Sequence, residues 1–434
     1  RLRTVTGVQT CALPISLKSP AIMLIAGEAS GDTLAAELVT ALRGELLARL
    51  VESADMQPLR TALAPRFFGA GGPRMAAAGV ELAFDLTKHS VIGISEALKK
   101  FAEFRAMLGQ LVKLALQRQP DVIVCVDFHG FNGRFAAAVR KAVRSQRGAF
   151  NNWNPKIVQF VSPQVWASRP GRADKMAENL DLLLSIFPFE KDWYAQRVPR
   201  LRVEFVGHPM IGRFANGQPL TRSRNCGTTL SPSDWERDGV RGSSSSPRVL
   251  LLPGSRADEV RRHLPLIAET ARRIWQARPV EFTAIAPNER MAADARAGLG
   301  SLGECCRVQV GGIADALHTA ELAISKTGTV LMECALFGVP AVAFYKTSWP
   351  TYFIGKQVVK VKWLSMPNIL ADEALFPEFV QDAATPENLA HAALELLGNS
   401  ARRETVCRRL RQIVESLGEP GAARRAARLI AGLV

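Results

Sequence analysis

Residues 250–259 read Leu-Leu-Leu-Pro-Gly-Ser-Arg-Ala-Asp-Glu, and they predict a buried strand that runs through a tight turn into a helix. The apolar run 249–252 is typical of a central parallel strand. Gly254 and Ser255 form the turn, so that the free N–H groups of the next helix point at one place. Arg256 can fork onto phosphate oxygens there. The stretch predicts a site for a nucleotide pyrophosphate; the alternative is an ordinary joint with a surface arginine.

The same alternation of strand and helix continues on both sides of this stretch. We predict buried strands at 21–25, 66–69, 122–126, 157–161, 182–186, 204–206, 249–252, 281–286, 308–310, 322–325 and 340–344. We predict helices at 33–50, 96–117, 135–144, 172–178, 257–276, 313–319, 328–337, 386–397 and 400–433. Such alternation is typical of α/β proteins with doubly wound parallel sheets, so we expect two facing Rossmann-like domains.

The domain boundaries follow from changes in composition. Residues 217–247 contain a Thr/Arg/Ser/Asn-rich stretch, charged residues and four consecutive serines, which is linker composition. We therefore expect an N-terminal domain at 18–216, a linker or insertion at 217–247, a C-terminal domain at 248–399 and C-terminal helices at 400–434. Residues 1–17 look like translated sequencing adapter, so we expect a non-native or disordered leader there.

Length, charge and cysteine content narrow the class of protein. A chain of 434 residues with 47% hydrophobic residues can form two large cores. The formal net charge of +15 favours anionic partners. The seven cysteines form no C-x-x-C pair, which is typical of a reducing compartment and argues against a disulfide framework. The longest apolar runs are much shorter than the roughly 20 residues that cross a bilayer, so we expect no membrane span.

The loop at 27–32, Gly-Glu-Ala-Ser-Gly-Asp, follows the first predicted strand, where open α/β sheets bind ligands. It is neither a G-x-G-x-x-G fingerprint nor a Walker loop, and Glu28 would repel a bare phosphate. We expect Gly27, Glu28, Ser30 and Asp32 to contact sugar hydroxyls. The alternative is that Ser30 or Asp32 caps the first helix.

Polar residues also follow other strands of the N-terminal half. Asp127 ends the strand at 122–126, and a carboxylate there could accept a proton from a substrate hydroxyl. The alternative is that it braces the following turn. Ser162, Trp166 and His208 lie just past predicted strand ends as well. Trp166 could stack on a sugar and His208 could contact phosphate, but structural roles are equally compatible with the sequence.

Residues 325–329, Ser-Lys-Thr-Gly-Thr, predict a second strand–turn–helix site in the C-terminal half. We expect the turn formed by Lys326, Thr327, Gly328 and Thr329 to hold phosphate. Glu333, on the following helix, could accept hydrogen bonds from a ribose diol. A chance match is the alternative.

Two segments mix apolar or aromatic residues with basic ones: the helix at 96–117 and the stretch at 344–363. This composition is compatible with contact at a lipid surface. For both segments, the sequence favours an ordinary amphipathic helix packed on its sheet.

Six motifs in order closely resemble those of lipid-A-disaccharide synthases. They are Ile-Ala-Gly-Glu-Ala-Ser-Gly-Asp at 25–32, Ser-Pro-Gln-Val-Trp-Ala at 162–167, Phe-Pro-Phe-Glu-Lys at 187–191, Val-Gly-His-Pro at 206–209, Leu-Pro-Gly-Ser-Arg at 252–256 and Pro-Asn-Ile-Leu at 367–370. The resemblance covers roughly residues 20–381. It implies a GT-B glycosyltransferase that joins UDP-2,3-diacylglucosamine to 2,3-diacylglucosamine 1-phosphate (lipid X), giving a β-1,6-linked disaccharide 1-phosphate and UDP.

The resemblance also implies roles for individual residues. Asp127 would be the general base and Arg256 the pyrophosphate-binding arginine. Glu28 and Asn132 would lie on the acceptor side, the turn 326–329 and Glu333 would bind the donor nucleotide, and Asn368 would lie near it. This chain has Gly130 where some relatives carry a second acid in the loop after Asp127.

The expected setting follows from the same resemblance. We expect a peripheral enzyme on the cytoplasmic face of the bacterial inner membrane, a possible homodimer, and no nucleic-acid partner. No Asp-x-Asp motif or His/acid cluster offers a metal site, so we expect activity without metal or cofactor.

Two other functions are compatible with the sequence. One is a UDP-N-acetylglucosamine 2-epimerase-like GT-B enzyme, which needs no lipid surface. The other is a non-catalytic protein that binds acidic lipid through its net charge. Acids such as Glu28, Asp127 and Glu333 would oppose a polyanion, which argues against this second function.

Overall fold

The computed structural model describes residues 19–51, 64–89, 97–214 and 246–434. They form two compact units, each with its own parallel sheet. The first unit contains the described residues up to Pro163, residues 173–206 and residues 422–434. The second contains residues 164–172 and the described part of 207–421. The predicted leader at 1–17 and nearly all of the predicted linker at 217–247 lie outside the described residues.

The first sheet has seven parallel strands. They are β1 (Ala21–Ala26), β2 (Arg66–Gly71), β3 (Glu81–Asp85), β4 (Val122–Val126), β5 (Lys156–Phe160), β6 (Leu182–Ser185) and β7 (Val203–Phe205). Their spatial order is β3-β2-β1-β4-β5-β6-β7. The order reverses direction between β1 and β4, which is the switch point at which doubly wound sheets bind ligands.

Helices cover both faces of this sheet. They are α1 (Ala29–Val51), α2 (Pro73–Ala77), α3 (Ala97–Arg118), α4 (His129–Gln146), α6 (Arg172–Asn179), α7 (Pro188–Arg197) and α17 (Ala422–Ala431). The short helix α5 (Val165–Ser168) lies between α4 and α6 in the sequence but belongs to the second unit. Ile22 and Leu24 of β1 lie in one core, and Met23 and Ile25 lie in the other. Because successive strand residues point to opposite faces, a strand covered on both sides is apolar throughout.

The second sheet has six parallel strands. They are β8 (Arg248–Leu252), β9 (Glu281–Ala286), β10 (Cys306–Val310), β11 (Leu322–Lys326), β12 (Ala341–Tyr345) and β13 (Glu378–Val380). Their order is β10-β9-β8-β11-β12-β13, so the switch point lies between β8 and β11. The helices are α8 (Pro209–Phe214), α9 (Ala257–Ala277), α10 (Glu289–Leu299), α11 (Ile313–Thr319), α12 (Val330–Leu336), α13 (Trp349–Val358), α14 (Met366–Ala371), α15 (Pro386–Gly398) and α16 (Ser400–Ser416).

The structure confirms every predicted strand to within two residues at either end. Two strands were missed, β3 and β13, and both lie at sheet edges without a fully buried residue. The single helix predicted over 400–433 is wrong. The chain breaks at Gly418 and Gly421, whose φ angles of 86° and 100° suit glycine. The last segment, α17, then packs in the core of the first unit through Ala426 and Ile430.

Candidate functional site

The loops after β1 and β4 lie side by side at the first switch point. Ala26 and Val126 are register partners at the ends of these parallel strands, so Gly27 and Asp127 begin neighbouring loops. A Cβ on Gly31 would lie 3.5 Å from the Cβ of Asp127. The structure thus brings together the two N-terminal motifs that the sequence places 100 residues apart.

The backbone of Asp127 is held on both sides in an unusual conformation. Its φ angle is 49°, in the left-handed region. Its N–H donates to the carbonyl of Phe160 at 2.6 Å. Its carbonyl accepts from Asn132 Nδ2 at 2.9 Å and from Gln159 Nε2 at 3.0 Å. These bonds fix the direction of the half-buried side chain, and no described residue forms a hydrogen bond or ion pair with its carboxylate.

Phe128 supports the same turn. It also has a left-handed backbone, with φ at 40°, which is strained for a bulky residue. Its ring stacks on Phe131 with centroids 5.7 Å apart, and Phe104 lies 6.2 Å from it. The ring also covers Gly27, which is buried. Gly27 therefore serves close packing against the Asp127 loop.

The other predicted site residues in the loop after β1 differ in how exposed they are. Glu28 and Ser30 are exposed at the start of α1. Asp32 is only 2% exposed, and its carboxylate accepts from the backbone N–H groups of Gly72, Arg74 and Met75 at 2.8–3.0 Å. It caps α2, which is a structural role that differs from the predicted sugar contact and from a cap on the first helix.

Asn132 and Ser162 are both buried. Asn132 Nδ2 donates to the Asp127 loop, whereas its Oδ1 is buried and has no hydrogen-bond partner among the described residues. Ser162 Oγ lies 3.3 Å from the hydroxyl of Tyr194, which also contacts the carbonyl of Pro163. Burial raises the pKa of the Tyr194 phenol far above its ordinary value, so this network stays neutral.

In the second unit, Trp166 is half-buried on α5, and His208 is buried just before α8. The Met210 N–H donates to His208 Nδ1 at 3.3 Å. Burial, assisted by the positive charge of Arg213, lowers the pKa of His208 to about 4. The imidazole is therefore neutral at physiological pH and cannot offer a positive charge to a phosphate.

The carboxylate of Glu259 contacts the turn after β8. Gly254 has a φ angle of 137°, and a Cβ there would lie 2.8 Å from Glu259 Oε2. The Ser255 N–H donates to Glu259 Oε2 at 3.3 Å, and Lys326 Nζ lies 3.0 Å from Oε1. Although burial opposes it, Lys326 holds the pKa of Glu259 below its ordinary value. Arg256 is the exposed N-cap residue of α9.

The turn after β11 lies beside it at the second switch point. Ser325 pairs with Leu252, so Lys326 at the end of β11 lies beside Pro253, which follows the neighbouring strand β8. The Thr327 N–H donates to the Phe344 carbonyl at 2.8 Å, and Gly328 and Thr329 lead into α12.

Glu333 lies on α12, and its Oε2 is buried without a hydrogen-bond partner among the described residues. Burial raises the pKa of this carboxyl, and the charge of Arg213 only partly opposes the rise. A buried acid with a vacant oxygen is costly for folding and is available to a ligand hydroxyl.

Both the nitrogen and the oxygen of the Asn368 side-chain amide form hydrogen bonds within the protein. Its Nδ2 donates to the Phe376 carbonyl and to Glu378 Oε1, each at 2.8 Å, and its Oδ1 accepts from the Phe376 N–H at 2.8 Å. It is fully buried. Asn368 therefore joins α14 to the edge strand β13, which is a structural role that the sequence did not reveal.

A family model described as lipid-A-disaccharide synthetase matches residues 22–431. The lipid-A-disaccharide synthase of Myxococcus xanthus (strain DK1622) is 34% identical over 418 residues, which cover 96% of this chain and 98% of the relative. The protein of the same name from Trichlorobacter lovleyi is 35% identical and covers 95% of this chain and 97% of its own. The chain belongs to the lipid-A-disaccharide synthetase family. It is accordingly a glycosyltransferase of lipid A biosynthesis.

Solved structures confirm the fold of this lipid-A-disaccharide synthetase family member. A putative UDP-N-acetylglucosamine 2-epimerase from Listeria monocytogenes superposes with a TM-score of 0.53 at 14% identity, covering 94% of this chain and 95% of that one. The calicheamicin glycosyltransferase CalG4 gives 0.53 at 14% identity, covering 96% and 98%. The predicted GT-B fold, with two Rossmann-like domains, is confirmed. At these identities the likeness concerns the fold alone.

The described part of this family member contains neither a metal-binding cluster nor a membrane-spanning helix. Within residues 19–51, 64–89, 97–214 and 246–434, no cluster of three or more His, Cys, Asp or Glu side chains is arranged to hold a metal ion. None of the described helices is both long and apolar enough to cross a bilayer.

Several residues that shape the two switch points were not predicted from the sequence. Gln159 and Phe128 hold the Asp127 loop, and Glu259 holds the turn after β8. The Glu at the third position of α9 is a recognisable capping signal, since such a carboxylate often reaches back to N-terminal N–H groups. Gln159 had no such signal, because it lies inside an otherwise apolar strand.

Proposed function

We propose that this enzyme joins UDP-2,3-diacylglucosamine to 2,3-diacylglucosamine 1-phosphate and releases the β-1,6-linked lipid A disaccharide 1-phosphate and UDP. The observation that carries the proposal is the carboxylate of Asp127. It lies at the switch point of the first sheet, on a backbone held by three hydrogen bonds. No described residue forms a hydrogen bond or an ion pair with it. A positioned, unpaired carboxylate is what a general base requires.

The reaction is a direct displacement with inversion. Asp127 accepts the proton of the acceptor 6-hydroxyl while that oxygen bonds to the anomeric carbon of the donor. The bond between that carbon and the UDP oxygen breaks on the opposite face, and its electron pair leaves with UDP. Glu28, at the exposed start of α1, and Asn132, with its vacant Oδ1, are proposed to contact the acceptor sugar.

The second unit is proposed to hold the donor. Arg256 is exposed at the N-terminus of α9 and can fork onto the pyrophosphate. The Lys326 ammonium and the N–H groups of Gly328 and Thr329 add positive charge as UDP leaves. The vacant Oε2 of Glu333 can accept a hydrogen bond from a ribose hydroxyl. Since cationic side chains neutralise the leaving group in this scheme, turnover should persist in EDTA; loss on chelation with recovery in magnesium would contradict it.

Helix α13 supports a proposal of peripheral attachment to the cytoplasmic face of the inner membrane. Trp349 and Phe353 are 48% and 58% exposed, and their rings lie 5.7 Å apart. Three exposed lysines follow along the chain, at 356, 360 and 362. Aromatic rings beside lysines suit an anionic lipid surface. By contrast, α3 buries Met107 and Leu111 in the core of the first unit.

A sedimentation assay tests this attachment. The wild-type protein and a Trp349→Ser, Phe353→Ser double variant would be mixed with vesicles of phosphatidylglycerol and phosphatidylethanolamine. We expect the variant to bind more weakly and to remain folded, since both rings are exposed. Equal binding would contradict the role of α13.

The decisive experiment is to mix the purified protein with the two acylated glucosamine substrates and to follow UDP and the disaccharide by mass spectrometry. A parallel reaction with UDP-N-acetylglucosamine alone tests the epimerase alternative. Formation of the disaccharide by the wild type but not by Asp127→Asn supports the proposal. Epimerised sugar, or no UDP in either reaction, would refute it. A homodimer remains a prediction that light scattering can test.

A further inference from the structure

Two side chains on α9, one helical turn apart, reach the loops that follow three neighbouring strands. Glu259 accepts from the Ser255 N–H and pairs with Lys326 at 3.0 Å. His263 Nδ1 lies 2.7 Å from the Pro253 carbonyl, and its Nε2 lies 3.1 Å from the Lys346 carbonyl. These partners lie at the carboxyl end of β11 or just after β8 and β12, and the three strands are adjacent in the sheet.

His263 is buried and Glu259 is half-buried, so these contacts are shielded from water. His263 is only 1% exposed, and its ring also packs edge-on against Phe344 with centroids 5.1 Å apart. Carbonyl oxygens only accept hydrogen bonds, so a neutral imidazole can donate to one of the two and a protonated ring to both. In the Glu259–Lys326 pair, the side chains are 19% and 21% exposed, so water screens them less than a surface pair.

We propose that Glu259 and His263 act as positioning residues, together called the loop clamp, which holds the turns after β8, β11 and β12 in the arrangement that receives a nucleoside diphosphate. The proposal rests on the proposed donor site of the second unit. Without the clamp, three loops would have to become ordered when the nucleotide binds. The entropy cost of ordering them would weaken binding.

The chain offers matched controls for both residues. Asp258→Asn removes one negative charge from the same helical turn as Glu259→Gln, but Asp258 is exposed. His318→Leu removes an exposed histidine of the same unit, as a control for His263→Leu. The charge control matters because removing any acid near a pyrophosphate favours UDP binding, whereas loss of the clamp opposes it.

Hydrogen–deuterium exchange of the unliganded protein tests the clamp directly. We expect exchange about tenfold faster at 253–256 and 326–328 in Glu259→Gln, and at 253–256 and 346–348 in His263→Leu, as for loss of one buried hydrogen bond. Unchanged exchange at 249–252 of β8 and 322–325 of β11 would show that the variants are folded. Asp258→Asn and His318→Leu should match the wild type. Loop exchange unchanged in both clamp variants would overturn the proposal.

Calorimetric titration with UDP then tests the positioning role. We expect the dissociation constant to rise about five- to tenfold in each clamp variant relative to its control. Faster loop exchange with UDP affinity equal to the controls would overturn positioning. If the wild type itself does not bind UDP while loop exchange still responds, the proposed donor site fails and the mechanical link among the loops stands, so the two failures are distinguishable.

Discussion

The ring of Phe128 occupies the space that a side chain at position 27 would need: a Cβ on Gly27 would lie 2.1 Å from Phe128 Cδ1. This contact couples the loop after β1 to the loop that carries Asp127. The ring cannot move outward freely, because Phe104 and Phe131 pack against it.

Gly27→Ala should therefore displace Phe128 and, with it, Asp127. We expect turnover to fall about 10²-fold, as for a misplaced catalytic group, and stability to fall by about 1–3 kcal/mol through overpacking. Kinetics and urea unfolding would measure both. Gly44→Ala is the control, since nothing lies within 4 Å of that Cβ position on α1. Equal activity in the two variants would refute the coupling.

Asp127→Asn should remove the base and keep the fold. Asn tolerates the left-handed backbone at this position, so the turn is retained. We expect turnover to fall about 10²- to 10⁴-fold with nearly unchanged UDP affinity. Asp192→Asn, at an exposed position on α7, is the matched control. Full activity of Asp127→Asn would dismiss Asp127 as the base.

Arg256→Ala should weaken UDP binding and lower the rate. A charge-assisted hydrogen-bond pair contributes about 1.5–3 kcal/mol, so we expect UDP affinity to fall roughly 10- to 100-fold. Arg262→Ala removes the same charge from an exposed position on the same helix. If the two variants bind UDP equally, Arg256 acts only through net charge.

Glu333→Gln should change binding and stability in opposite directions. One oxygen of the buried carboxyl has no hydrogen-bond partner among the described residues, and burial raises its pKa, so neutral glutamine should stabilise the fold by about 1 kcal/mol. It should also weaken UDP binding about tenfold, because a carboxylate is the stronger acceptor for a ribose hydroxyl. Thermal unfolding and calorimetry measure the two effects, with the exposed Glu304→Gln as control. Lower stability with intact binding would assign Glu333 a structural role.

His208 should make the protein less stable in acid. Its pKa of about 4 in the fold lies below the ordinary 6.5, so between these values the unfolded chain binds a proton that the folded chain does not. The unfolding free energy should consequently fall by about 2 kcal/mol from pH 7 to pH 5 because of this group. Urea unfolding of His208→Gln should show a smaller pH dependence than the exposed His318→Gln control. Identical slopes would contradict the neutral state of His208.

The fold was predictable where burial leaves a plain signal. β1, β4 and β8 are central strands covered on both faces, so their sequences are apolar apart from the exposed Arg248 at the start of β8. Edge strands β3 and β13 lack that signal because they are partly exposed. The end of α16 was missed although Gly418 and Gly421 follow it, because the alanine and arginine pattern of α17 continues a helical period.

In the candidate site, too, the sequence determined one part and the tertiary structure another. Alternating strands and helices place the segments 27–32, 127–132, 253–256 and 326–329 at the carboxyl ends of parallel strands, so the sequence alone was sufficient to predict that they lie at the two switch points. Only the tertiary structure decided which side chains remain available there. Asp32 is consumed in capping α2 and Asn368 joins α14 to β13, whereas the carboxylate of Asp127 has no hydrogen-bond or ion-pair partner among the described residues. A hydrogen bond between groups far apart in the chain depends on packing in three dimensions, which local sequence periodicity does not encode.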